Sequence, residues 1–133
     1  MKRIFTLLLS LLVLSCTNNE PEAKEVTAKT LRNRNLALAY IDSGMMNEAN
    51  EKLSTLELIL PEEPFVYANQ GLVALRKNEL ETAGTLLAKA NELAPNNPDI
   101  ALLRAETALL LGEFEQSTQI LEDAIKKNPN NMH

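Results

Sequence analysis

Stepping along the chain by 34 residues brings like onto like. Pro61, Pro95 and Pro129 fall together, as do Ala49, Ala83 and Ser117; Leu53, Leu87 and Leu121; Leu56, Ala90 and Ala124; Ala37, Gly71 and Ala105; Tyr40, Ala74 and Ala108; Met46, Leu80 and Phe114; and Gly44, Asn78 and Gly112. Self-similarity at one spacing in this range is the mark of a chain built from stacked supersecondary units. The pattern predicts first helices at about 29–43, 64–77 and 98–111 and second helices at about 46–60, 80–93 and 114–127.

Each recurring set has a physical role in a helix pair. Small residues at 37, 71 and 105, and again at 49, 83 and 117, let two helix axes approach closely, because interaxial distance follows the side chains at the contact. Gly44, Asn78 and Gly112 fall where a first helix must stop in the left-handed conformation, which Gly and Asn adopt most readily. Leu53, Leu87 and Leu121 are expected to fill the core of the second helix. The prolines at 61, 95 and 129 end that helix, since Pro has no N–H for the ladder. Pro64 and Pro98 sit in the opening turn of a first helix, where a missing N–H costs nothing. The expected fold is all-α, three helical hairpins in a row.

This pattern resembles the tetratricopeptide repeat family over about residues 30–131, as repeats 30–63, 64–97 and 98–131. It departs from the family mainly at a large first-helix position, which Tyr40 fits and where Ala74 and Ala108 are smaller. The resemblance implies a right-handed superhelical solenoid whose concave face is lined by first helices. It does not identify a partner, because one fold hosts many functions.

Before the repeats, Met1-Lys2-Arg3 is followed by an apolar run from Ile4 to Leu14, broken only by Thr6 and Ser10. A basic end and an apolar run of this length suit the core of a secretory signal, and the run is well short of the ~20 residues that span a bilayer. Val13-Leu14-Ser15-Cys16 is similar to the lipobox of bacterial lipoproteins, although the family prefers Leu where Val13 stands and a smaller residue at Leu14. That resemblance implies a signal peptide over 1–15, a diacylglyceryl thioether on Cys16 and acylation of the new amino terminus. Each buried CH₂ of such chains contributes roughly 0.8 kcal/mol, so several chains together hold a domain to the membrane. An ordinary signal peptide, or an uncleaved anchor, would share the apolar run. Thr17, rather than Asp, after the cysteine implies outer-membrane sorting, with periplasmic and surface display both open. Residues 16–28, polar and Pro-containing at Asn18-Asn19-Glu20-Pro21-Glu22, are expected to form a flexible tether. Cys16 is the chain's one cysteine, so an internal disulfide and a cysteine-rich zinc site are excluded.

Composition sharpens the class. Hydrophobic residues make up 45% of the chain but aromatics only 4%, with no Trp, which favours close-packed helices over sheets. The formal net charge is -5. Without Lys2 and Arg3 the remainder has 11 basic against 18 acidic side chains, and an acidic body repels phosphate backbones, so nucleic acid is not an expected partner. The only histidine is His133, and no phosphate loop, nucleophile motif or metal-ligand cluster stands in the sequence. Glu62 and Glu63 adjoin each other between two prolines, where a carboxylate pair is ordinarily solvated. No cofactor, metal or catalysis is expected.

Family positions carried onto this chain place Leu31, Arg34, Leu38, Ile41 and Asp42, then Phe65, Asn69, Leu72, Leu75 and Arg76, then Asp99, Leu102, Glu106 and Leu109 in the concave groove. Such a groove would hold a protein or peptide, with Arg34 and Arg76 available to a carboxylate through bidentate bonds. The alternative is that the leucines complete helix packing and the arginines are solvated. The clamp by which chaperone-binding members hold a terminal carboxylate would fall on Arg34, Leu38, Asn69, Asp99 and Leu103, of which only Arg34 and Asn69 fit, so that ligand is disfavoured. A solenoid also has to cover its last apolar face. Leu111, Ile120 and Ile125 are expected to be partly bare, to be covered by a partner, by self-association with a second copy, or by further repeats. The segment Tyr67-Ala68-Asn69-Gln70-Gly71-Leu72 is loosely similar to the repeat-bearing front of larger lipoproteins of the ASPIC/UnbV class. The functional expectation is a membrane-tethered adaptor of a cell-envelope complex, such as pilus, secretion or outer-membrane assembly machinery. The alternatives are a fragment of a larger lipoprotein and an accessory subunit of an envelope enzyme.

Overall fold

Helix endings repeat as strictly as the residues that make them. In the computed structural model, which describes residues 20–129, six helices follow one another: α1 Glu20–Asp42, α2 Met46–Ile59, α3 Pro64–Arg76, α4 Leu80–Leu93, α5 Pro98–Leu110 and α6 Phe114–Lys127. Each first helix ends on a left-handed residue, Gly44 at φ 76°, Asn78 at φ 61° and Gly112 at φ 82°. The next N–H folds back to a carbonyl five residues earlier, from Met45 to Tyr40 at 2.8 Å, Glu79 to Ala74 at 2.9 Å and Glu113 to Ala108 at 2.8 Å. These are Schellman turns, which satisfy carbonyls that the helix end would otherwise leave open. Second helices stop at Leu60, Ala94 and Asn128, each with an extended φ directly before a proline, as the clash with a following Pro ring requires. New first helices open with Pro64 and Pro98; the Asn97 side chain accepts from the N–H of Asp99 at 2.9 Å and of Ile100 at 3.2 Å.

Successive helices pack in chain order, and α3 also touches α5 directly. The result is three hairpins stacked as a solenoid, all-helical over the described residues. Its core is the column of recurring sets: Ala37, Ala49, Leu53, Leu56 and Val66 lie in one buried cluster and Ala74, Leu75, Ala83 and Leu87 in the next. Within the second hairpin α3 and α4 meet at Gly71, where a Cβ would lie 2.6 Å from Cγ of Leu87. Between the first and second hairpins, Nε2 of the buried Gln70 donates to Oε2 of Glu57 at 2.9 Å, tying α3 to α2. Ser117, which takes an alanine's place, adds a bond from Oγ to the Ala105 carbonyl at 2.8 Å.

Two expectations are corrected. Residues 20–28, expected to belong to the flexible tether, are helical. The segment Glu20-Pro21-Glu22-Ala23-Lys24-Glu25 carries helix-opening signals in its own right, acidic residues and a proline in the first turn and good helix formers after it. Leu121, expected in the core, is 39% exposed although Leu53 and Leu87 are fully buried, because no helix packs on the outer side of α6 among the described residues. The signal peptide over 1–15, the lipid site Cys16, Thr17 and the first tether residues lie outside the described residues. No described helix is long and apolar enough to cross a membrane.

Gly71→Ala is expected to destabilise the fold by roughly 1–3 kcal/mol, because the new methyl group must displace a core leucine. Gly84→Ala, whose Cβ would meet nothing nearer than Thr107 at 4.0 Å, is expected to stabilise it by up to ~1 kcal/mol. Urea unfolding of the two variants beside the parent checks the contrast. By the same measurement Glu57→Ala should cost about 1–2 kcal/mol, since Gln70 loses its acceptor while buried, and adding Gln70→Leu should restore part of the loss.

Candidate binding groove

The first helices present their free faces together, and side-chain exposure decides which of the expected groove residues a partner could reach. On α1, Leu31 is 58% exposed and Leu38 is also exposed, with Arg34 between them on the same helix face. On α5, Leu102 is 59% and Leu109 51% exposed, with Glu106 between them in the same way. Phe65 and Leu72 of α3 are half-buried and pack against the first core cluster, so they form floor rather than wall. Asn69 is half-buried too, its Nδ2 donating to the Phe65 carbonyl at 2.8 Å. Arg76 and Asp42 stand exposed at the ends of their helices.

Ile41 does not belong to this surface. It is 7% exposed and part of the first core cluster, and Leu75, one repeat on, is equally buried in the second. Their place on the first helix faces the following hairpin: Phe65 and Leu72 pack against the cluster that holds Ile41, and Leu103 against the cluster that holds Leu75. Leu109 holds the same place in the third hairpin and stays open, because no hairpin follows α6 among the described residues.

One contact joins residues that lie in separate repeats. The guanidinium carbon of Arg34 sits 3.8 Å from the centre of the Phe65 ring. Such a stack is worth about 0.5–1 kcal/mol at an exposed site and leaves the planar edge of the guanidinium free to hold an anion. The stacked Arg34 on α1 and Glu106 on α5 give the two outer first helices opposite charge, each set between leucines. The repeat pattern does not reveal the Glu57–Gln70 bond; its one trace in the sequence is a pair of polar residues, 13 apart, each beside a buried residue of its own helix.

Other chemistry has little to work with. Among the described residues no group of three or more His, Cys, Asp or Glu could hold a metal ion. The Glu51 carboxyl is held below its ordinary range, first by a hydrogen bond from Lys52 at 2.8 Å and then by that residue's charge, but the pair lies on α2 away from the groove. Glu63, of the adjacent carboxylates, caps α3 by accepting from the Phe65 N–H at 3.4 Å, a long and weak bond.

Residues 74–133 match the tetratricopeptide repeat family. No curated protein matches the chain. Among solved structures, the chain is similar to the TPR2B domain of yeast Sti1 in its pHsp70 complex, at 18% identity and TM-score 0.73, with 78% of this chain and 83% of that one covered. It is similar to a Thermobaculum terrenum O-GlcNAc transferase mutant at 19% identity and TM-score 0.74, over 80% of this chain and 20% of the transferase. The TPR2AB domain of yeast Sti1 in its pHSP90 complex gives 19% identity and TM-score 0.72, over 85% of this chain and 46% of that one. The chain thus spans a fifth of the transferase and less than half of the double domain. At such identities the likeness is one of fold, and together with the family match over 74–133 it makes this chain, in fold, a tetratricopeptide repeat solenoid.

Proposed function

We propose that the chain is a non-catalytic adaptor that holds a segment of another protein against its first helices and is itself held at a bacterial envelope membrane by lipid on Cys16. The observation that carries the binding reading is the Arg34–Phe65 stack set among exposed leucines. A soluble surface has little reason to keep Leu31, Leu38 and Leu102 open along one set of helices unless something covers them. The similar yeast domains are in complex with pHsp70 and pHSP90, which supports a protein ligand. The clamp positions Leu38, Asp99 and Leu103 favour a different ligand from a chaperone tail. The charges suit a segment with an acidic group near α1 and a basic group near α5. The membrane reading rests on the lipobox-like Val13-Leu14-Ser15-Cys16 behind a basic, then apolar, leader. On that reading the adaptor serves a cell-envelope complex, such as pilus, secretion or outer-membrane assembly machinery.

Arg34→Glu combined with Leu102→Asp is expected to abolish capture of the envelope protein that cross-links to the wild type in intact cells, while leaving thermal unfolding nearly unchanged, since both side chains are exposed. Capture that survives the double variant would overturn the groove. Separately, Cys16→Ser should shift the protein from the membrane to the soluble fraction. The amino-terminal peptide of the wild type extracted from membranes should begin at Cys16 and carry acyl chains by mass; an unmodified Cys16 would refute the anchor.

A further inference from the structure

The second helices α2 and α4 each receive the next first helix along one stripe. On α4 that stripe is Leu80, Gly84, Leu87 and Asn91, all half-buried or buried, with Thr107 of α5 nearest to Gly84. On α2 it is Met46, Asn50, Leu53 and Glu57, and Glu57 takes the hydrogen bond from Gln70 of α3. The corresponding residues of α6 are Phe114, Thr118, Leu121 and Ile125, spaced four, three and four apart as in a helix–helix seam. All four are exposed, Phe114 at 66%. Ile125 is apolar where Glu57 and Asn91 are polar, so this seat is more apolar than the two that are filled.

We infer that the Phe114–Ile125 face of α6, continued by Leu109 of α5, is a second docking surface that takes an amphipathic helix of another protein whose apolar stripe is flanked by Lys and Arg. Charge selects this occupant. Glu115 and Glu122 border the stripe on its outer side, with Lys126 a turn beyond. A helix entering here meets two carboxylates against one ammonium, and opposite charges beside an apolar seam set partner choice.

Charge also counts against a second copy. Head-to-tail stacking would bring α1 onto the seat, but Arg32 stands where α3 and α5 bury Val66 and Ile100. That charge would be pressed onto Leu121 and Ala124. Tail-to-tail pairing of two α6 helices, antiparallel, would set Glu115 of each beside Glu122 of the other. Like charges across a seam disfavour it.

The test uses the full chain and three synthetic helical peptides: a leucine heptad stripe flanked by lysines, the same stripe flanked by glutamates, and a scramble of the first with equal charge. Titration at moderate salt is expected to show binding of the lysine-flanked peptide, and roughly tenfold or weaker binding of the glutamate-flanked one, as several contacts turn from attractive to repulsive. Ile125→Glu and Phe114→Glu should each remove binding with the circular dichroism and melting curve of the parent, while Arg34→Glu leaves it intact and so separates this surface from the groove. The proposal is overturned if the scramble binds as well, if both stripe peptides bind alike, or if the two α6 variants still bind. Sedimentation of the parent as a dimer that Ile125→Glu dissociates would overturn it in favour of a second copy.

Discussion

How closely two helices can approach sets the rest of this structure. α3 and α4 meet at a residue with no side chain, Gly71, against Leu87, and the other hairpins use Ala37 and Ala105 at the matching place. Small contacts bring the axes near enough for the long residues Leu53, Leu56 and Leu87 to fill the gap with few other large side chains. That is how a chain with 4% aromatic residues and no Trp builds a core. Because each contact is local, stability is a sum of hairpins and seams rather than of one central cluster.

The turn chemistry follows from the same constraint. Helices packed this closely must reverse within a few residues, and the left-handed Gly44, Asn78 and Gly112 do so while the Schellman bonds satisfy the freed carbonyls. With first helices thereby held in one layer, their outer faces become a continuous surface. Residues far apart in sequence, such as Arg34 and Phe65, stack on it.

Among the described residues the first and the last helix differ in the faces they leave uncovered. The front helix puts Arg32 where its successors bury Val66 and Ile100, so that face is suited to water. The last described helix keeps Phe114 and Leu121 and adds Ile125, so that face is not. Apolar exposure on α6 is therefore a property of these particular residues as well as of the position.

Helix number, order and nearly every boundary were legible in the sequence, because a 34-residue step repeats the residues that stop and start helices through strong local chemistry: proline, glycine and asparagine. The start of α1 was not legible, since its polar composition points to a tether although Glu, Ala and Lys are also good helix formers. Burial was legible only in part. Ile41, Leu75 and Leu109 are one position by repeat, and local pattern treats them alike. Only the stacking of a following hairpin buries the first two and leaves the third open. So too with Leu53, Leu87 and Leu121, and with the bond of Gln70 to Glu57 across a seam. Local preference is written residue by residue, whereas exposure and cross-hairpin contact depend on what lies on the far side of each helix, and that the tertiary structure alone decided.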